Sequence, residues 1–194
     1  MYAIFGYGSL AHPDTVRQVG GNAVRGENYF LVGLHNWKRA WTVCTDNTDP
    51  ARAVAYYRPG TSDRLDGQVL FLNLDREPGS RTRGALVLVP PDVLGQLDER
   101  EKNYDRVDVT ADVDLSGVPD DVKPDVVWTY VGKESAVRAA HRGVSQGSAV
   151  IWRPYLDRLR ADDLIEIPAG VRVVELDRRK WGEPTHPYAD HPRE

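Results

Sequence analysis

The sequence predicts an α+β protein whose sheet curls into a barrel, with a few helices packed outside. Three observations predict it. Short apolar runs of strand character recur from Tyr2 to Val131, while helical patterns are few and fall late. The first ninety residues lack the regular strand–helix alternation of a doubly wound parallel sheet. The composition, 41% hydrophobic and 28% charged over 194 residues, is that of a globular domain able to bury a core.

The first strand is Met1 to Phe5, apolar and aromatic. It runs into Gly6-Tyr7-Gly8-Ser9-Leu10, where two β-carbons are missing within three positions. The main chain can turn sharply there and lie close to a ligand. Ala11 to Val19 carries turn chemistry and then a short helix, ended by Gly20 and Gly21. Ala23 to Gly33 reads as a long strand, Trp37 to Val43 as its successor and Ala51 to Tyr57 as another. Gln68 to Leu74 and Ala85 to Val89 are dense apolar runs, short enough to be buried strands. Asp75 to Arg83, with its charges, Pro78 and Gly79, reads as a solvated connection between them.

Pro91 and Asp92 then open the clearest helix, since proline suits a first helical turn and an acid suits the positive end. Its apolar face is Val93, Leu94 and Leu97, and it is expected to reach about Asn103. Val107, Val109 and Val113 alternate with charges as a half-buried strand does. A polar loop from Asp114 to Pro124 precedes the strand Val126 to Val131, closed by Gly132. Glu134 to Arg142 reads as helix, and so does Ala149 to Arg160, with Ile151, Trp152, Tyr155, Leu156 and Leu159 buried. Val171 to Leu176 is an edge-strand candidate. The end, with Pro184, His186, Pro187 and His191, reads as loosely held. The chain divides into a domain at 1–165 and a C-terminal strand with tail at 166–194.

Composition narrows the function. Net charge is −4 with mixed signs, which argues against a nucleic-acid or membrane-surface partner. The single cysteine, Cys44, excludes an internal disulfide and a four-cysteine zinc site. The five histidines are scattered, with no His-x-x-x-His pair, so no metal site is expected. No charged-then-apolar leader and no membrane-length apolar run are present, so a soluble cytoplasmic protein is expected. A dinucleotide fingerprint fails, because the third glycine and the strand–helix–strand unit are missing.

Two features carry chemistry. Successive main-chain N–H groups in the Gly6–Leu10 loop make a cradle for a carboxylate, a phosphate or a developing oxyanion. The second is Glu101, four residues after Leu97 and therefore on the helix face that looks inward. A carboxyl at the rim of an apolar cavity holds its proton more tightly, which poises it for proton transfer near neutral pH. Ser9 is a poor nucleophile candidate, since no histidine and acid are spaced to activate it.

Phe5-Gly6-Tyr7-Gly8-Ser9-Leu10 followed by Leu97-Asp98-x-x-Glu101 resembles the γ-glutamylcyclotransferase-like proteins, with their ChaC and AIG2-like branches. Gly33-Leu34 ahead of Arg39 and Trp41, Gly84-Ala85-Leu86-Val87, and Thr129-Tyr130-Val131 resemble later blocks of that family. The resemblance spans about residues 1 to 160. It implies a mixed β-barrel with the glycine loop and Glu101 facing one cavity. The implied reaction is cyclisation of a γ-glutamyl group to 5-oxoproline with release of an amine or amino acid, without cofactor. The implied roles are Glu101 as proton carrier and Ile4, Phe5, Gly6, Tyr7, Gly8, Ser9, Leu10 and Tyr130 around the substrate. The implied partner is a small γ-glutamyl molecule, and a homodimer is left open. Only two residues separate Glu101 from Tyr104, where several relatives have a longer loop, so the leaving-group side departs from the pattern. The alternative is a non-catalytic domain of the same fold that binds a small ligand or a partner.

Overall fold

A computed structural model describes residues 1–21, 29–52, 54–159 and 165–180. The strands are β1 (Tyr2–Gly6), β2 (Tyr29–Asp46), β3 (Val54–Tyr57), β4 (Gln68–Val89), β5 (Tyr104–Asp108), β6 (Val113–Asp114), β7 (Val126–Gly132), β8 (Ala149–Trp152), β9 (Arg172–Val174) and β10 (Asp177–Lys180). The helices are α1 (Pro13–Gly20), α2 (Pro91–Arg100), α3 (Glu134–Gln146) and α4 (Arg153–Leu156). The fold is therefore α+β, as predicted.

The main sheet runs β5-β7-β1-β4-β2-β6, with β8 and then β9 added to β4. It is mixed, because β1 is antiparallel to β4 and parallel to β7. Six strands laid flat at ordinary spacing would hold the outer two ~24 Å apart. Yet β5 and β6, at the two ends of that path, are joined by residues 109–112 alone. That connection spans at most ~18 Å. The sheet must curl, and it does so into a half-barrel whose ends approach without pairing.

Each face of the curl carries its own core. Ala3 and Phe5 of β1, and Tyr7 just past its end, look to one side, with Leu34, Trp41, Leu70, Leu72, Leu74 and Leu86, and with Ala139 and Ala140 of α3. Ile4 looks to the other, with Val87, Val16 of α1 and Val93, Leu94 and Leu97 of α2. The period-two alternation of β1 thus assigns Tyr7 to the inside of the half-barrel.

Three expectations need correction. Asp75 to Arg83 is not a loop: β4 runs unbroken from Gln68 to Val89 against β2. The charges stand along the exposed edge of this arm, and Pro78 and Gly79 sit where the register jumps between His35↔Arg81 and Trp37↔Arg76. Asn36, opposite that bulge, takes φ +65° and its Oδ1 accepts the Gly79 N–H at 3.1 Å. Likewise β2 is one strand through Trp37 to Val43, not two. Ala149 to Arg160 is not one helix, because Ala149–Ile151 of β8 pairs in parallel with Gln68–Leu70 before the short α4. Of the predicted Ala23–Gly33 strand, residues 23–28 lie outside the described residues, as do Arg160 and the tail from 181 onward. β9 pairs with β8 and β10 with β3. No helix among the described residues is long and apolar enough to cross a membrane.

Candidate active site

The glycine turn is built by close approach. A β-carbon on Gly6 would lie 2.2 Å from the Leu10 carbonyl oxygen, so the chain can fold back on itself only without one. The turn is closed by Ala11 N–H to the Gly8 carbonyl at 2.9 Å and His12 N–H to that of Ser9 at 3.3 Å. Among the described residues, the N–H groups of Gly8, Ser9 and Leu10 donate to nothing. These are the donors the sequence assigns to an anion. The side chains are another matter: Ile4, Phe5 and Leu10 are buried in the two cores, and Ser9 is half-buried. Their share in a site is their backbone.

Glu101 sits just past α2. The helix stops at Arg100, three residues short of the predicted Asn103, and Glu101 caps it with φ −88° and ψ 46°. Its N–H bonds the Leu97 carbonyl at 2.9 Å, and its own carbonyl takes the Tyr104 N–H at 2.8 Å, which launches β5. The turn carries the carboxyl inward, leaving the side chain 16% exposed. Burial raises its pKa above the ordinary 4.5, and the Arg100 guanidinium opposes that rise. The Arg100 Nε lies 3.5 Å from Glu101 Oε1, on the solvent side.

Tyrosines gather between these two parts. The Tyr7 hydroxyl donates to the Tyr130 carbonyl at 2.6 Å. The Tyr104 hydroxyl donates to the Leu72 carbonyl at 2.9 Å, while the Tyr155 hydroxyl accepts the Leu72 N–H at 3.3 Å. That Tyr155 oxygen would lie 3.1 Å from a β-carbon on Gly8. Burial, first, and then the Tyr155 and Glu101 charges push the Tyr7 hydroxyl well above its usual pKa. Tyr104 is raised the same way, by burial and then by Tyr7, Tyr155 and Glu101. Both stay protonated donors at any ordinary pH. The Glu101 charge is thus felt at the Tyr7 and Tyr104 hydroxyls, and the Tyr155 hydroxyl faces the glycine turn.

Tyr130 is placed differently from the expectation. Its ring joins the core on the α2 side, and its hydroxyl donates to Asp98 Oδ1 at 2.8 Å, so it offers Tyr7 its carbonyl instead. Sequence reasoning assigned no role to Tyr104 and read Tyr155 as helix core. The spacing Glu101-x-x-Tyr104, which places both on one tight turn, was the available signal for the first; nothing local marks the second.

Two cavities are described, and neither is lined by Glu101 or the glycine turn. One, of about 520 Å³, lies at Met1, Tyr2, Pro90, Pro91 and Val126. The other, of about 760 Å³, lies over the β2–β4 ladder at Arg39, Trp41, Arg81 and Arg83. At Gly8 a tyrosine hydroxyl, not open space, faces the backbone. Among the described residues no three His, Cys, Asp or Glu side chains gather as a metal would need.

No protein-family profile matches the chain. No curated protein matches it either. Solved structures similar to it include a γ-glutamyl cyclotransferase, 13% identical, matched over 75% of this chain and 79% of its own with a TM-score of 0.43. A γ-glutamyl cyclotransferase specific to glutathione, from yeast, is 16% identical over 70% of this chain and 72% of its own, with a TM-score of 0.42. A protein from Arabidopsis thaliana, solved in solution, is 20% identical over 70% of each chain, with a TM-score of 0.42. Likeness of this order is one of general outline, and the chemistry has to come from this chain's own residues.

Proposed function

We propose that the chain is a γ-glutamylcyclotransferase-type enzyme that closes a γ-glutamyl group to 5-oxoproline and releases an amine or amino acid. The observation that carries the reading is Glu101. It is a carboxyl largely taken out of water beside Arg100, with raised proton affinity and with its charge felt at the Tyr7 and Tyr104 hydroxyls, while the Tyr155 hydroxyl faces a glycine turn with unused N–H groups. A merely structural acid has no need of that combination, because burying an idle carboxyl costs stability.

In this reading the substrate's α-ammonium gives a proton to the ionised Glu101, and its nitrogen attacks the γ-carbonyl carbon. A tetrahedral intermediate forms with one new C–N bond and an oxyanion. The amide C–N bond to the leaving group breaks, and the departing nitrogen takes up the protons that the ammonium gave. Glu101 ends in the state in which it began, so one carboxyl serves as base and then acid. The free N–H groups of Gly8, Ser9 and Leu10 hold the α-carboxylate or the oxyanion. Ring closure is intramolecular, so the protein's other task is to fold the substrate chain towards attack. Tyr7 and Tyr104, both held protonated, supply further donors. To admit a substrate at Gly8, the Tyr155 hydroxyl gives up its long bond to the Leu72 N–H. No cofactor enters the scheme, and the partner is a small γ-glutamyl molecule met by a soluble protein.

The test is a panel of γ-glutamyl amino acids, peptides and amines incubated with the purified protein and assayed for 5-oxoproline. Turnover of at least one class, lost in Glu101→Gln, is expected. A folded parent protein that releases no 5-oxoproline from any of them ends the reading.

A further inference from the structure

Beside the tyrosines lies a polar joint that the proposed chemistry does not use. Asn73 is 2% exposed on β4, between Leu72 and Leu74 of the core. Burying an amide costs stability unless its groups find partners, and here they do. Its Oδ1 accepts the Gly132 N–H at 2.8 Å, and its Nδ2 donates to Asp75 Oδ1 at 2.9 Å and to Thr42 Oγ1 at 3.1 Å. The Thr42 hydroxyl in turn donates to Asp75 at 3.1 Å. The amide cannot be reversed, because the Gly132 N–H only donates and the Asp75 carboxylate only accepts.

The chain builds this joint at both ends. β2 and β4 slip register between Ala40↔Asn73 and Val43↔Phe71, so Trp41 and Thr42 stand against Leu72. That bulge brings the Thr42 hydroxyl to the Asn73 amide. A β-carbon on Gly132 would lie 2.0 Å from Val43 Cγ2 and 3.2 Å from Asn73 Oδ1, so β7 can end this close to β4 only with glycine there. From Gly132 the bonds close a ring. The Lys133 N–H donates to the Asn103 carbonyl at 2.9 Å, and the Tyr104 hydroxyl returns to the carbonyl of Leu72, the neighbour of Asn73, at 2.9 Å. Gly132 and Tyr104 are also partners in the β5–β7 ladder. The tight turn from Glu101 to Tyr104 is thus held between the end of β7 and β4.

We infer that Asn73 is a positioning residue: by fixing the end of β7 against β4, it sets the place of the turn that carries Glu101 and Tyr104. The placement stands on the bonds just described, and its consequence for turnover rests on the cyclotransferase reading. The turn has a second tie, since Asn103 Nδ2 donates to Thr45 Oγ1 at 3.2 Å and Arg52 Nη1 to Asn103 Oδ1 at 2.6 Å. Loss of Asn73 therefore lets the turn shift without releasing it.

The test sets Asn73→Ala beside the exchange Asn73→Asp with Asp75→Asn, which keeps an acceptor for Gly132, a donor–acceptor pair between the two positions and the same total charge. The Glu101 carboxyl is titrated by carbon-13 NMR of the whole protein, its resonance identified by its loss in Glu101→Gln, and 5-oxoproline release is measured on a substrate that the parent turns over. In Asn73→Ala the Glu101 midpoint should fall toward 4.5 as the carboxyl meets water, and kcat should fall roughly 10²-fold with KM nearly unchanged. The exchange should restore both. Arg100, Tyr7, Tyr104 and Tyr130, which share charge interactions with Glu101, are intact in every variant. A merely structural amide would lower the melting temperature and leave the midpoint and kcat of the folded protein where they were. That result, or an exchange that folds and restores neither, overturns the assignment. Should Asn73→Ala not fold, Asp75→Asn, at a half-buried position, weakens the same joint: a lowered Glu101 midpoint supports the assignment and an unchanged one overturns it. A parent protein without turnover ends the cyclotransferase reading, while the titration still decides the role of Asn73.

Discussion

Glu101 puts two requirements in opposition at a single residue. Its proton affinity is raised in the folded chain, so below pH 4.5, where the unfolded chain also holds the proton, its burial costs little. As pH climbs from there through the raised value, the folded state alone still holds the proton, and stability is lost across that window. Glu101→Gln removes this loss. Thermal melts from pH 4 to pH 8 should show the variant and parent nearly level in acid and the variant increasingly the more stable towards neutrality. A parent that is the more stable at neutral pH would mean that the Arg100 contact outweighs burial. The same substitution should abolish 5-oxoproline release, which separates a catalytic acid from a structural one. The two glycines of the turn differ in kind. Gly6→Ala drives a β-carbon into the Leu10 carbonyl and should cost ~3 kcal/mol or more in denaturant unfolding. Gly8→Ala meets only the movable Tyr155 hydroxyl at 3.1 Å, so it should fold and fail at ligand binding. Equal stabilities of the two variants would undo that contrast. Glu101 and the turn were legible in the sequence because their spacing is local. Tyr155 was not, because only the tertiary path of β4 and β8 brings it to Gly8.

The elements explain where sequence reading failed. Pro78, Gly79 and a dense run of charges are the usual marks of a loop, and between Asp75 and Arg83 they mark a bulge inside a long antiparallel arm. Periodicity cannot reveal this, since an arm of this length beyond the core is polar on its exposed edge. The helix expected over Ala149–Arg160 failed because two short pieces mimic one long one. An apolar Ala-Val-Ile-Trp strand is followed directly by a Pro-containing turn of helix, and their buried residues fall at helical spacing by chance. The bulge rests on Asn36, whose φ of +65° suits asparagine or glycine and whose amide bridges Gly79 and Asp112. Asn36→Val should therefore lower stability by ~1–2 kcal/mol in urea unfolding, while Asn36→Gly should cost less. If valine proved as stable as glycine, the left-handed backbone would not be what the position demands.

At the scale of the whole molecule, the fold is a curled sheet with a core on each face, and its curl was legible because strands outnumbered helices. Which strands meet was not, since pairings such as β1 with β7 join residues far apart in sequence. Cys44 offers a way to ask how firmly these pieces hold together. It lies on β2 at 0% exposure under α3, and its thiol contacts the Ala136 carbonyl at 3.5 Å. Burial first, and then the Asp46 charge, push its pKa from 9.0 to about 12. The thiolate, which is the reactive form, is therefore scarce as well as hidden at neutral pH. Reaction with a disulfide reagent requires α3 to leave β2, and opening of that core element approaches global unfolding. The rate of thiol modification in low urea should then rise in step with the loss of global stability, and Ala140→Gly in α3 should raise both the rate and the unfolded fraction together. A thiol that reacts at once in the native protein, or whose rate ignores urea, would mean that α3 lifts from the sheet independently. The half-barrel would then be two separately opening bodies rather than one.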